Sequence, residues 1–185
     1  MEPKTPDYFS TLLPIITLMI GVILNAGIEY FRDGRVSKRE QKARKIRREE
    51  AIASNRIEFQ RETLLKLQEA INEVGRQTAK LHIHDLKHLR TTGNWQEAVL
   101  PPEVDEADRA ALSKVSIQYV RVQDKDIKTL VDEFRTDHNN TLESVNNVVA
   151  EQAFAKMQNT FVRLNEKIGD QLLNLDNKIM DLIGD

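Results

Sequence analysis

The segment HIHDLKH, residues 82–88, holds three histidines and an aspartate within one short stretch. His84 and His88 stand four residues apart, which places them on one face of a helix with Asp85 beside them. Imidazole and carboxylate groups at this spacing can bind a metal ion, but a structural zinc site needs four ligands and the chain has no cysteine. The alternative, which we favour, is that the histidines are packed or solvated at a helix end.

No other pattern indicates catalysis. The chain has no G-x-x-x-x-G-K-[ST], H-E-x-x-H or G-x-S-x-G motif. We therefore expect no enzymatic activity, no bound metal and no cofactor. Trp95, the only tryptophan, is a candidate anchor for a partner protein, or it folds back onto the helices, which we favour.

An uncharged stretch of 20 residues, Phe9 to Ile28, precedes a basic one. As a helix it covers roughly 30 Å, the thickness of a bilayer's hydrocarbon core. We therefore expect a transmembrane helix over residues 9–31. Asn25 lies inside it, either as a polar contact between two spans or as a tolerated polar residue near the interface.

Residues 32–50 hold nine basic and four acidic side chains. Basic residues that follow a span are retained on the cytoplasmic side, which predicts that the short N-terminus lies outside and the long C-terminal region lies in the cytoplasm. The same residues are predicted to contact anionic lipid headgroups of the bilayer. Nucleic acid is not expected as a partner because no aromatic residues are interleaved. The predicted headgroup contacts are Arg32, Arg35, Lys38, Arg39, Lys42, Arg44 and Lys45.

Beyond residue 50 the apolar residues repeat with a helical period. Positions 53, 57, 60, 64, 67, 71, 74, 78 and 81 form a heptad-like seam, with Gln60 and Thr78 as its polar members. Gly93 and the pair Pro101–Pro102 indicate a loop. The expected fold is all-α: a transmembrane helix, a long juxtamembrane helix and an antiparallel three-helix, coiled-coil-like cytoplasmic bundle. The expected parts are an external tail (1–8), the span (9–31), a basic segment (32–50) and a bundle (51–185) with helices at 51–90, 106–136 and 141–183 and a loop at 91–105.

The segment FQRETLLKLQEAINEVGRQTAKLHIHDLKHLR, together with an LPPE segment, resembles uncharacterised bacterial single-pass membrane proteins with a cytoplasmic helical domain. The resemblance implies an inner-membrane location and no activity.

These features predict a membrane-anchored, non-enzymatic scaffold or adaptor that acts by helical self-association or by binding a cytosolic protein. The alternative is an effector that oligomerises through its span and perturbs the membrane or responds to a signal.

Overall fold

A computed structural model describes residues 8–96 and 102–184, with side chains described for residues 19, 21, 38–96 and 102–182. Every regular element in these ranges is an α-helix, so the all-α prediction is confirmed there. The helices are α1 (Tyr8–Thr92), α2 (Pro102–Tyr119), α3 (Lys125–Leu142) and α4 (Asn147–Gly184). The chain divides into two compact units, Met1–Ile52 and Ala53–Asp185.

The predicted transmembrane helix over residues 9–31 is contradicted. Among the residues that the structure describes, no helix is long and apolar enough to cross a bilayer. A crossing requires about 20 consecutive, predominantly apolar residues, whereas α1 is rich in charged side chains from Lys38 onward. The fold is therefore corrected to four helices without a transmembrane helix in the described part.

The four helices of the unit 53–185 share one apolar core. The seam predicted on α1 is buried from Gln60 to Leu81, which confirms that part of the pattern. Leu164 and Ile168 of α4 and Phe134 of α3 are fully buried against it. Complete burial of such side chains contributes about 1.5–3 kcal/mol each, and this apolar contact fixes which face of every helix points inward.

The helix predicted at 106–136 is in fact two helices, separated at residues 120–124. Gln60 of α1 stabilises the break, because both polar atoms of its side-chain amide form hydrogen bonds with the backbone of the turn. Its Nε2 donates to the carbonyl of Arg121 (3.1 Å), and its Oε1 accepts from the amide of Gln123 (3.2 Å). Asp124 then caps α3 by accepting from the amides of Asp126 and Ile127.

The break expected between the predicted helices 106–136 and 141–183 is also wrong, because residues 137–140, with the sequence DHNN, lie inside α3. The chain turns later, at residues 143–146, where the Asn146 side chain accepts from the amide of Val149 (2.9 Å) and starts α4. The bundle therefore has four helices, not three.

Candidate functional site

The histidine segment 82–88 is divided between the core and the surface. His82 is buried, and its ring stacks on Phe154 with centroids 4.7 Å apart. Burial lowers the pKa of His82, and the nearby carboxylates of Glu151 and Asp85 oppose that shift. Burial raises the pKa of Asp85, and the adjacent histidines oppose it. His82 is therefore a packing residue that favours its neutral form.

The metal-site candidates His84, Asp85 and His88 are each partly exposed on α1. In the described part of the chain, no three histidine, cysteine, aspartate or glutamate side chains converge closely enough to hold a metal ion. His84 Nδ1 is buried without a hydrogen-bond partner. The i, i+4 spacing is present, but the structure adds no ligand from another helix.

Trp95, the candidate partner anchor, packs against its own chain. Its indole Nε1 donates to the carbonyl of Ser144 (2.8 Å), and its ring meets the edge of His82 with centroids 6.3 Å apart. The neighbouring Gln96 donates to the carbonyl of Leu142. The indole thus joins the end of α1 to the turn between α3 and α4.

A polar cluster that the sequence did not predict lies in the core, where Thr78, His138 and Asp108 meet from three helices. Thr78 Oγ1 donates to the carbonyl of Val74 (2.8 Å), so the hydroxyl can only accept from His138 Nδ1, also at 2.8 Å. His138 Nε2 faces Asp108 Oδ2 at 3.3 Å.

The order hydroxyl, imidazole, carboxylate is that of a nucleophilic triad, but its burial excludes that chemistry here. Thr78 is 0% exposed and His138 is 1% exposed, so no substrate can reach the hydroxyl. Asp108 Oδ1 has no hydrogen-bond partner. The cluster is therefore a structural element that fixes the register of α1, α2 and α3. Its one sequence signal was Thr78, a polar residue in an apolar seam.

A second buried carboxylate, Asp137, joins α3 to α4. Thr160 Oγ1 donates to Asp137 Oδ2 (2.9 Å), and Lys156 Nζ lies 2.8 Å from Asp137 Oδ1. Asp137 is 1% exposed, whereas the Lys156 side chain is 70% exposed. The hydrogen bond to Asp137 and its charge raise the pKa of Lys156. This pair, too, holds helices together.

A cleft of about 300 Å³ lies between α1 and α2. Its charged side chains are mostly paired along α1, as in Arg76–Glu73 (2.9 Å) and Lys66–Glu62 (2.6 Å). These pairs involve Lys66, Glu73 and Arg76 of the lining. Its lining residues are Lys66, Glu69, Ala70, Glu73, Arg76, Lys114 and Gln118.

The basic residues of α1 are fully described only from residue 38 onward. All side chains from 38 to 50 are exposed, and the two ion pairs there, Arg44–Glu40 (3.6 Å) and Lys45–Glu49 (3.8 Å), are long. Exposed ion pairs of this kind contribute little free energy. Five of the predicted headgroup contacts belong to this range: Lys38, Arg39, Lys42, Arg44 and Lys45. The side chains of Arg32, Arg35 and Asn25 lie outside the described residues.

The outer face of α4 carries apolar side chains opposite those that enter the core. Val162 is 51% exposed, Leu173 62% and Met180 71%. We call this face the α4 strip; it comprises Val148, Ala155, Val162, Gly169, Leu173 and Met180. Each of the first four positions follows the one before it by seven residues, and Met180 follows Leu173 by seven. Seven-residue spacing keeps these side chains on one side of the helix, where the exposed Asn159 and Glu166 lie between them.

Comparison with known proteins identifies no relative: no protein-family model, no curated protein and no solved structure matches this chain. The resemblance to bacterial single-pass membrane proteins and the location at the inner membrane therefore stay predictions.

Proposed function

We propose that this protein is a non-enzymatic scaffold that assembles through the α4 strip. The observation that carries the proposal is the set of exposed apolar side chains from Val148 to Met180 on the 38-residue helix α4. A helix that only covers a bundle has a polar outer face. α4 instead has apolar residues on two sides, one of which is occupied by the core.

A second copy of the chain is the partner that the strip fits best. In an antiparallel pair, Val162 of one copy lies opposite Leu173 of the other, and the same register sets Ala155 opposite Met180. Each contact occurs twice by symmetry, and a small side chain meets a large one as in interdigitated helix packing. The same register sets Glu166 of each copy opposite Gly169 of the other, where no side chain crowds it.

The absence of an enzymatic role is supported by the way the chain uses its polar groups. The buried hydroxyl, imidazole and carboxylate groups of Thr78, His138 and Asp108 bond one another out of reach of solvent. Asp137 is likewise paired with Thr160 and Lys156. The alternative, an effector that oligomerises through its span, requires packed membrane helices, and no helix in the described part of the chain is long and apolar enough to cross a bilayer.

Cysteine mapping tests the proposal directly, because the chain has no cysteine of its own. Ala155→Cys and Met180→Cys are prepared as separate full-length variants, one with a size tag, then mixed and oxidised. We expect a mixed disulfide and little disulfide from either variant alone. In the antiparallel pair, two copies of position 155 are roughly 37 Å apart, because 25 residues separate the two positions along the helix.

A disulfide from each variant alone would show a parallel pair, and no disulfide from the mixture would refute the register.

A matched pair of substitutions tests the surface itself. Val162→Arg is expected to abolish chemical crosslinking between copies in cells, whereas Asn174→Arg is not. Asn174 is also exposed, but it lies about 100° around the helix from Leu173. Crosslinks only to a different protein, lost in Val162→Arg, would keep the scaffold and reject the second copy.

A further inference from the structure

The strongest charge on the described surface is on α1, at residues 38–48, which we call the basic segment. Seven of its eleven residues are basic and one, Glu40, is acidic. We propose that the basic segment binds the phosphate groups of an anionic lipid surface. This goes beyond the proposed assembly through α4 and rests on different residues.

The cations of the basic segment are available to an external anion. All of their side chains are exposed, and Lys38, Arg39, Lys42, Arg47 and Arg48 have no ion pair with any residue that the structure describes. Successive residues turn by about 100°, so these charges surround the helix on all sides. A helix is about 10–12 Å across, which exceeds the Debye length of about 8 Å in physiological salt, so the charges on the side that faces the lipid surface contribute most.

Lipid fits the basic segment better than nucleic acid does. No aromatic residue lies between residues 32 and 58, so the helix has no side chain on which a base could stack. Lysine and arginine have long apolar stems, which can lie along the acyl boundary while the charged ends meet phosphate. The exposed Ile46 and Ile52 add apolar side chains that a lipid surface accommodates and a nucleic-acid backbone does not.

Vesicle flotation with the full chain tests the proposal. The vesicles contain phosphatidylcholine alone or phosphatidylcholine with phosphatidylglycerol, so that only the second kind carries net negative charge. The variant replaces Lys38, Lys42, Lys45 and Arg48 with glutamine, which keeps helix propensity. Each basic residue near an anionic surface strengthens binding roughly fivefold, so the variant should bind anionic vesicles at least about a hundredfold more weakly.

The matched control replaces four exposed lysines of the unit 53–185 with glutamine and removes the same net charge. Its binding to anionic vesicles should change less than about threefold, because distant charges are screened. The control positions are Lys87, Lys114, Lys125 and Lys178. Circular dichroism should show equal helix content in all three proteins.

Three results would overturn the proposal. The first is equal binding to neutral and anionic vesicles, and the second is an equal loss in the variant and the control. The third is tighter binding to duplex DNA than to anionic vesicles at the same salt concentration.

Competition with inorganic phosphate distinguishes a lipid surface from a site for free phosphate. A free-phosphate site would be displaced more strongly by phosphate than by chloride of equal ionic strength, whereas a lipid surface would respond to both alike.

Discussion

The buried contact between His138 and Asp108 makes a quantitative prediction about stability. His138→Leu leaves the Asp108 carboxylate buried with neither oxygen bonded, since Oδ1 has no partner in the native fold. Asp108→Ala leaves His138 Nε2 without an acceptor at a site 1% exposed. Removing one member of a buried charged pair typically costs about 3–5 kcal/mol, and an unpaired buried neutral group costs about 1–3 kcal/mol.

The double variant His138→Leu/Asp108→Ala should lose less free energy of unfolding than the two single variants lose together. It removes both polar groups, and the larger leucine compensates in part for the smaller alanine. Replacement of a buried pair by apolar residues is often close to neutral. We expect a coupling free energy of about 2 kcal/mol or more, which is large beside a total stability of about 5–15 kcal/mol.

Urea unfolding of the full chain, followed by Trp95 fluorescence, measures these differences. Trp95 is the only tryptophan and is tied to the Ser144 carbonyl, so its emission reports the unit that contains the pair. Strictly additive single costs, or a cost for His138→Leu below about 1 kcal/mol, would refute the inference that the two buried side chains stabilise each other.

Two further substitutions test the packing of α1. Gly75→Ala should stabilise the fold by about 0.5–1 kcal/mol in urea unfolding, because glycine weakens a helix interior. The new Cβ would lie 3.6 Å from the Phe161 ring, which is an ordinary van der Waals contact. A loss of stability would contradict this prediction. His82→Phe should flatten the pH dependence of stability. Burial lowers the pKa of His82, so its contribution is present above the unfolded value of about 6.5 and is lost as the pH falls below it. Phenylalanine keeps a ring on Phe154 but cannot take up a proton, so an unchanged loss of stability between about pH 7 and pH 5 would contradict the assignment.

The sequence predicted those features that depend on local periodicity. The seam from Gln60 to Leu81 repeats in steps of three and four, and the structure buries it as one face of α1. The same local logic failed at DHNN, because clustered Asp, His and Asn residues are typical of turns. Asp137 and His138 remain in α3 because their polar groups find partners on other helices, which a local pattern does not reveal.

The division between α2 and α3 could not be predicted for a related reason. Two of the hydrogen bonds that hold the turn at residues 120–124 come from Gln60, about sixty positions earlier in the chain. The sequence marked Gln60 only as a polar member of the seam. The transmembrane prediction failed on another ground, since it took an uncharged run as sufficient, and the structure provides no helix in its described part that could cross a bilayer.

Two sets of hydrogen bonds attach α1 and the residues that follow it to the turns on either side of α3, and they limit insertions and deletions between the two points. Gln60 is bonded to the turn before α3, and Trp95 and Gln96 are bonded to the turn after it. Inserting or deleting one residue between these points would rotate one attachment by about 100° and shift it by about 1.5 Å relative to the other. The helical part of this segment, residues 60–92, therefore has a fixed length: its solvent-facing residues can vary, but it cannot gain or lose a residue.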